Sequence, residues 1–249
     1  MRFATETWLM FVRSARPPLR NPVTIIVGIS MPLVYLVLFG PLLRHMTTGD
    51  GLSSWQWFVP GLLVQLTLFG TAYAGFTMLP ETRSGVMERM RVTPSGRTAL
   101  LLGRVLKDVV LLLVQAVLMV GAAMILGFRA QAVPVLLGLG LLAVTGVAVG
   151  FSSYALALKL KHEFALAPVL GALVVPLMLL SGVLLPMDMA PTWLYNVSRA
   201  NPLSYVVDAE RAIIAGEYTQ TALTGALVAV GLLVAGMAWG IHRFRKEQA

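Results

Sequence analysis

The chain has 249 residues, 57% of them hydrophobic and 12% charged, with a mean hydropathy of +0.81, a net charge of +8 and no cysteine. So little charge cannot cover a soluble globule of this size, and so much apolar residue excludes a disordered chain. The lack of cysteine excludes a disulfide-stapled scaffold, a thiolate metal site and a cysteine nucleophile. An integral membrane protein remains. Lysine is rare beside arginine and Ala, Val and Gly abound, which hints at a GC-rich bacterial genome.

Residues 1–22 read as an amphipathic helix. Trp8, Phe11, Val12 and Ala15 recur at i, i+3, i+4 and i+7, while Glu6, Arg13, Arg16 and Arg20 lie largely elsewhere. Such a helix lies in the membrane interface, as an anchor or as a docking element, and Pro17-Pro18 is expected to end it.

Six stretches free of Asp, Glu, Lys and Arg follow, at residues 23–43, 57–79, 109–128, 133–158, 164–185 and 221–241. Each provides about 20 apolar residues, enough to cross a hydrocarbon core about 30 Å thick. The first run is longer than the apolar part of a cleaved signal peptide, so it is expected to stay as an anchor. The expected fold is therefore an all-α membrane domain of six transmembrane helices, residues 1–249 forming a single unit.

Fifteen of the 19 basic residues fall at the N-terminus, in the loops after spans two and four, and in the tail; only Arg44, Arg129, Arg199 and Arg211 fall on the other side. The positive-inside rule then places both termini in the cytoplasm of a multi-pass inner-membrane protein. Basic groups facing an anionic lipid leaflet also account for the net charge without nucleic acid.

Two loops are long. Residues 80–108 carry Glu81, Glu88, Arg89 and Arg91 on a short helical stretch, a Thr93-Pro94-Ser95-Gly96 turn, and a helix leading into span three. Arg104 and Asp108 stand at i, i+4, a spacing that lets them pair. A mere connector does not need two charged helical pieces, so this loop is expected to meet a partner. Residues 186–220 are apolar for an exposed segment and are cut by Pro186, Pro191 and Pro202 into pieces too short to span. Short re-entrant helices between spans five and six fit that pattern.

Chemical motifs are absent. No lysine follows a glycine, so there is no phosphate loop; the three histidines do not cluster; there is no Gly-x-Ser-x-Gly elbow; and no acid pair lies in a span. No catalytic residue and no metal site is expected. Energy for uphill transport would have to come from another subunit. Gly146-x-x-x-Gly150 and Gly236-x-x-x-Gly240 allow close helix approach. Gln65, Gln115, Ser152 and Ser153 either line a pathway or bond neighbouring helices.

Glu81-x-x-x-Gly85-x-x-Glu88-Arg89, Pro94-Ser95 and Leu102-Gly103-Arg104 resemble the cytoplasmic loop of type 2 ABC exporter permeases. Ser181-Gly182, Pro186, Pro191-x-Trp193-Leu194, Asn201-Pro202-Leu203, Asp208 and Arg211 resemble their loop between spans five and six. The likeness covers nearly the whole chain and is strongest to the daunorubicin/doxorubicin-resistance type, with nodulation-factor and capsule or teichoic-acid exporters also similar. It implies a permease half without its own ATPase site, paired with an identical or paralogous half. Two separate nucleotide-binding subunits would hold ATP and Mg, with no cofactor in this chain. The interfacial helix (Trp8, Phe11, Val12, Arg13) and the 80–108 loop (Glu81, Gly85, Glu88, Arg89, Arg91, Pro94) would dock on them. Ser181, Gly182, Pro186, Trp193, Asn201, Pro202, Asp208 and Arg211 would belong to an external re-entrant gate. The cargo implied is a hydrophobic drug or lipid; a lipid-linked glycan is the alternative, and an intramembrane lipid-modifying enzyme is the alternative from another class.

Overall fold

In a bilayer no water satisfies the backbone, so apolar runs of this length close their hydrogen bonds within helices. The computed structural model describes residues 2–43, 54–79, 97–160 and 162–247, and every regular element among them is helical. In chain order these are α1 (Arg2–Arg20), α2 (Pro22–Leu43), α3 (Ser54–Ala72), a 3-10 turn (Ala74–Met78), α4 (Arg97–Ile125), α5 (Ala132–Leu160), α6 (Glu163–Leu180), a second 3-10 turn (Met187–Met189), α7 (Thr192–Ala200), α8 (Pro202–Ala215) and α9 (Gln220–Glu247).

Five of these stretches are long and apolar enough to cross a membrane: Pro22–Gly40, Ser54–Met78, Thr98–Ile125, Ala132–Leu160 and Gln220–Phe244. The expected span at 164–185 is helical only to Leu180. Gly182 takes φ +76°, a left-handed conformation that turns the chain out of the helix. The 18 residues of α6 reach about 27 Å at 1.5 Å per residue, just short of a hydrocarbon core. Segment 186–220 contains the two short helices α7 and α8, as its prolines imply.

Two expectations need correction. Pro17 and Pro18 do not end α1, which runs through both to Arg20. The break is Asn21, whose side chain accepts a hydrogen bond from the Val23 N–H (3.0 Å) and caps α2 ahead of Pro22. The apolar stripe of α1 is also rotated: Thr7, Met10 and Ala15 are buried, Phe11 and Val12 are half-buried, and Trp8 and Leu9 point outward. The buried face lies on α4, where a Cβ at Gly103 would stand 2.9 Å from Met10 Cβ and from the Thr7 carbonyl oxygen.

Helix α3 is the centre of the molecule, buried along most of its length, while α2 and α9 expose most of theirs. The main core gathers Leu62, Leu66, Leu112, Met119, Leu142 and Val206 from α3, α4, α5 and α8. A second core at one end of the bundle gathers Met78, Leu101, Phe151, Tyr154 and Phe244. Both Gly-x-x-x-Gly pairs are used. A Cβ at Gly236 would lie 2.5 Å from the Ala148 carbonyl oxygen and one at Gly240 would lie 2.8 Å from the Phe151 ring, so α9 lies backbone to backbone on α5. On another face of α5, Gly146 and Gly150 admit Leu112 and Val105 of α4.

Candidate functional site

The chain from Ser181 to Gly216 is tied down by local caps first. Ser181 Oγ donates to the Met178 carbonyl (2.7 Å), closing α6. Asn201 sits in extended backbone at the start of α8, with Pro202 at the first helical position. Its Oδ1 accepts from the Leu203 N–H (3.0 Å), while its Nδ2 donates to the Leu177 carbonyl of α6 (2.7 Å). One buried side chain thus starts α8 and staples it to the end of α6. At the other end Gly216 takes φ +82°, and the Glu217 N–H returns to the Ala212 carbonyl (2.8 Å), which fits a left-handed helix stop.

A charged network then joins four elements. Arg211 of α8 donates from Nη2 to the Gly182 carbonyl (2.7 Å) and from Nε to the Trp57 carbonyl (3.2 Å), with its guanidinium 4.2 Å from the Trp57 ring centre. Asp208, one turn earlier, faces Arg211 at 3.9 Å and accepts from Arg199 Nη1 of α7 at 2.8 Å. Arg199 Nε donates to the Tyr195 hydroxyl (3.1 Å), and the Tyr205 hydroxyl donates to the Arg199 carbonyl (3.1 Å). The guanidinium lies 5.1 and 5.7 Å from the two tyrosine rings. The planar guanidinium fork supplies several donors at fixed angles, which a lysine cannot replace.

Of the residues named from sequence, Ser181, Gly182, Asn201, Pro202, Asp208 and Arg211 converge here. Pro186 is half-buried in the turn beyond, and Trp193 is 67% exposed, outside the network. Arg199, Tyr195, Tyr205 and Trp57 were not singled out as gate residues. Glu210 was also missed, although it shares the helical face of the buried Val206, Val207, Ile213 and Ile214. It is fully buried, both its carboxylate oxygens lack a hydrogen-bond partner, and burial alone pushes its carboxyl up to about 8.

At the opposite end α4 starts twelve residues before the expected span at 109, so Arg104, Lys107 and Asp108 are helical and buried. Asp108 accepts from the Tyr154 hydroxyl at Oδ2 (2.6 Å) and pairs with the Lys107 ammonium at Oδ1. Sequence spacing suggested Arg104 as the partner of Asp108; the structure adds Lys107 and Tyr154, the latter from α5. A buried tyrosine hydroxyl needs a partner, a signal that Tyr154 in an aliphatic span already carried. Ser153, beside it, bridges the break after α3: its hydroxyl donates to the Ala72 carbonyl and accepts the Gly75 N–H (2.9 Å). Of the two roles open to Ser153, helix bonding is the one seen. The other expected docking residues, Glu81, Gly85, Glu88, Arg89, Arg91 and Pro94, lie outside the described residues. Trp8, Phe11 and Val12 are on α1, and Arg13 is exposed there.

The ABC-2 type transporter family matches residues 5–215, from α1 to the last residue of α8. The chain belongs to this family. It is 27% identical over 197 residues to the "Daunorubicin resistance ABC transporter permease protein DrrB1" of Streptomyces coeruleorubidus, covering 78% of the chain and 70% of the relative. It is 24% identical over 232 residues to the "Probable doxorubicin resistance ABC transporter permease protein DrrC" of Mycobacterium tuberculosis, covering 91% and 83%. The chain is thus an ABC-2 permease. The Asp208–Arg211 network falls at the C-terminal edge of the matched region, while the α5–α9 glycine seam is built partly from residues beyond it.

Proposed function

We propose that this permease is the membrane half of an ATP-driven exporter that moves a hydrophobic drug or lipid-like molecule outward across the bacterial inner membrane. Membership of the ABC-2 family over residues 5–215 is the observation that carries the reading. Two copies of a separate nucleotide-binding subunit hydrolyse ATP with Mg, and a second permease half, identical or paralogous, completes the pathway. This chain supplies no ATPase site and needs no cofactor.

In this reading α6, fifth in chain order, adds a crossing to the five longer helices with the turn at 181–185 completing its length, α1 lies in the cytoplasmic interface, and both termini are cytoplasmic. Residues 80–108 couple to the ATPase through Glu81, Gly85, Glu88, Arg89, Arg91 and Pro94, with Trp8, Phe11, Val12 and Arg13 of α1 beside them. Residues 186–220 form the external gate, held shut by Asn201, Asp208 and Arg211. A hydrophobic cargo is supported by the names of the relatives and by an apolar cavity of about 200 Å³ among α3, α5, α6, α8 and α9, lined by Leu68, Val149, Val174, Leu177, Leu203 and Leu232.

Gentle detergent purification of the tagged chain from its native membrane tests this. A stoichiometric companion with a phosphate loop and ATPase activity is the expected result. A chain that emerges alone, with no ATPase that can be reconstituted, would overturn the reading. Charge reversal at Glu88 or Arg89 is expected to uncouple hydrolysis from transport with insertion intact; normal cargo-stimulated hydrolysis in both variants would remove the coupling role.

A further inference from the structure

Among the described residues Glu210 is the buried carboxyl whose chemistry the network around it does not use. It projects from α8 against α5 at Gly138, where any Cβ would stand 2.6 Å from Glu210 Oε1. The carboxyl is fully buried within a single chain, so a second copy cannot reach it without α8 moving. Neither oxygen has a partner among the described residues. An ionised carboxylate in such a place is very costly, and the group takes up a proton instead.

Among the described residues no charged group offers an alternative. On α8 itself Asp208 and Arg211 are committed to Arg199, Gly182 and Trp57, and Tyr205 to the Arg199 carbonyl. Among the elements packed on α8, helix α3 carries no titratable side chain; α7 offers Tyr195 and Arg199, both in the network. On α5 the titratable residues are Tyr154 and Lys159; on α6, Glu163; on α9, His242, Arg243, Arg245, Lys246 and Glu247. All of these lie at the far end of the bundle. One helical turn from Glu210, between Ile214 of α8 and Pro134 of α5, opens a polar cavity of about 480 Å³ also lined by Gln56, Arg129, Gln131 and Tyr218. Gly216, the left-handed stop of α8, lines it as well.

We propose that Glu210 is a proton-binding site that latches the gate: neutral while α8 is seated on α5, and ionised when α8 lifts into the water of the cavity. Lifting α8 releases one proton from the carboxyl to the external solution; reseating takes one up. Acid outside favours the seated state and alkali favours the lifted one. Arg129 at the cavity rim is the cation placed to meet the carboxylate once it is exposed. The idea rests on the proposed external gate only for its sidedness; the proton site itself needs neither ATP nor cargo.

The test uses the full chain, with whatever subunits co-purify, in lipid nanodiscs. The chain has no cysteine. Ile214→Cys therefore gives a single thiol on α8, whose labelling by a water-soluble maleimide reads how often the helix lifts. Rates are compared in the native and Glu210→Gln backgrounds, so the thiol's own ionisation cancels. The native-to-variant ratio is expected to be flat in acid and then to climb by up to about tenfold per pH unit toward pH 8. A ratio that stays flat from pH 5 to pH 9 would overturn the latch. Should Glu210→Gln fail to fold, Gly138→Ala takes its place: its methyl displaces the carboxyl, and labelling is expected to rise at pH 6, whereas a profile identical to the parent's sinks the proposal. A flat ratio in a preparation that contains an ATPase subunit removes the latch and leaves the exporter reading standing. A climbing ratio without an ATPase does the reverse.

Discussion

Arg211 and Glu210 are neighbours on α8 with opposite fates. Arg211 reaches two carbonyls and an aromatic face, so its charge is used; Glu210 reaches nothing, so its charge is suppressed. Replacing Arg211 by Lys keeps the charge but loses the fork. Because hydrogen bonds to a charged donor contribute about 1.5–3 kcal/mol, Arg211→Lys is expected to lower the thermal unfolding midpoint clearly, and Arg211→Ala further. A midpoint unchanged in Arg211→Lys would mean that the network is not holding α8 to α3. For Glu210 the sign runs the other way. Its pKa is raised from the ordinary 4.5 to about 8 in the folded chain. The folded state therefore loses stability as pH rises from about 4.5 to 8, by roughly 1.4 kcal/mol per pH unit at most, and is unaffected below that window. Glu210→Gln should unfold at a higher temperature than the parent at pH 8 and at about the same temperature at pH 4.5. Sequence alone reached Arg211 and Asp208 through the motif that holds them. It passed over Glu210 because no spacing rule reports a missing partner, although the helical register among Val206, Val207, Ile213 and Ile214 did mark its face as buried.

At the scale of the element, caps explain both a success and an error. Asn-Pro occurs at 21–22 and at 201–202, and each pair starts a helix, the asparagine oxygen accepting from the N–H two residues on. Residues 17–18 looked like the stronger break, since proline inside a helix removes a hydrogen bond and crowds the preceding turn. Packing of Thr7 and Met10 on α4 at Gly103 holds α1 in register through that defect, and such packing is not written in local sequence. Asn21→Ala is expected to cost about 1 kcal/mol, an ordinary cap, whereas Asn201→Ala should cost clearly more because it also frees the Leu177 carbonyl. Equal losses in thermal unfolding would show that the staple to α6 contributes nothing. The glycine seam gives a sharper contrast. Gly236→Val places branched carbons against the Ala148 backbone and should prevent α9 from seating, seen as protease cleavage within α9. Gly231, on the same helix with nothing within 4 Å of its Cβ position, should accept Ala with no loss or a gain of about 1 kcal/mol. Glycine spacing was legible; which glycine meets which backbone was not, because that depends on how α5 and α9 rotate.

For the molecule as a whole, the charges sort by end. Arg129, Arg199 and Arg211 lie at the Trp57 end, two of them sharing the single carboxylate of Asp208, while Arg104, Lys107, Lys159, Arg243 and Lys246 lie at the Tyr154 end. Five of the six apolar runs coincide with helices long enough to cross, and they were legible because the bilayer sets one length for every crossing. The fifth run is helical only to Leu180, which was not legible, since an apolar run looks the same whether it continues as helix or turns at Gly182. The sorting of charge makes orientation a property of the whole chain, and the positive-inside rule then predicts that the Tyr154 end faces the cytoplasm. Single cysteines placed on this cysteine-free background decide the matter. Tyr218→Cys, beside the polar cavity and 60% exposed, should react in intact cells with a reagent that cannot cross the membrane. Lys246→Cys, in the exposed tail of α9, should react only after the cells are opened. If the two labelling patterns are exchanged, the chain sits the other way up: the Arg211 network then faces the cytoplasm, and the segment proposed as an external gate becomes a surface available to the ATPase.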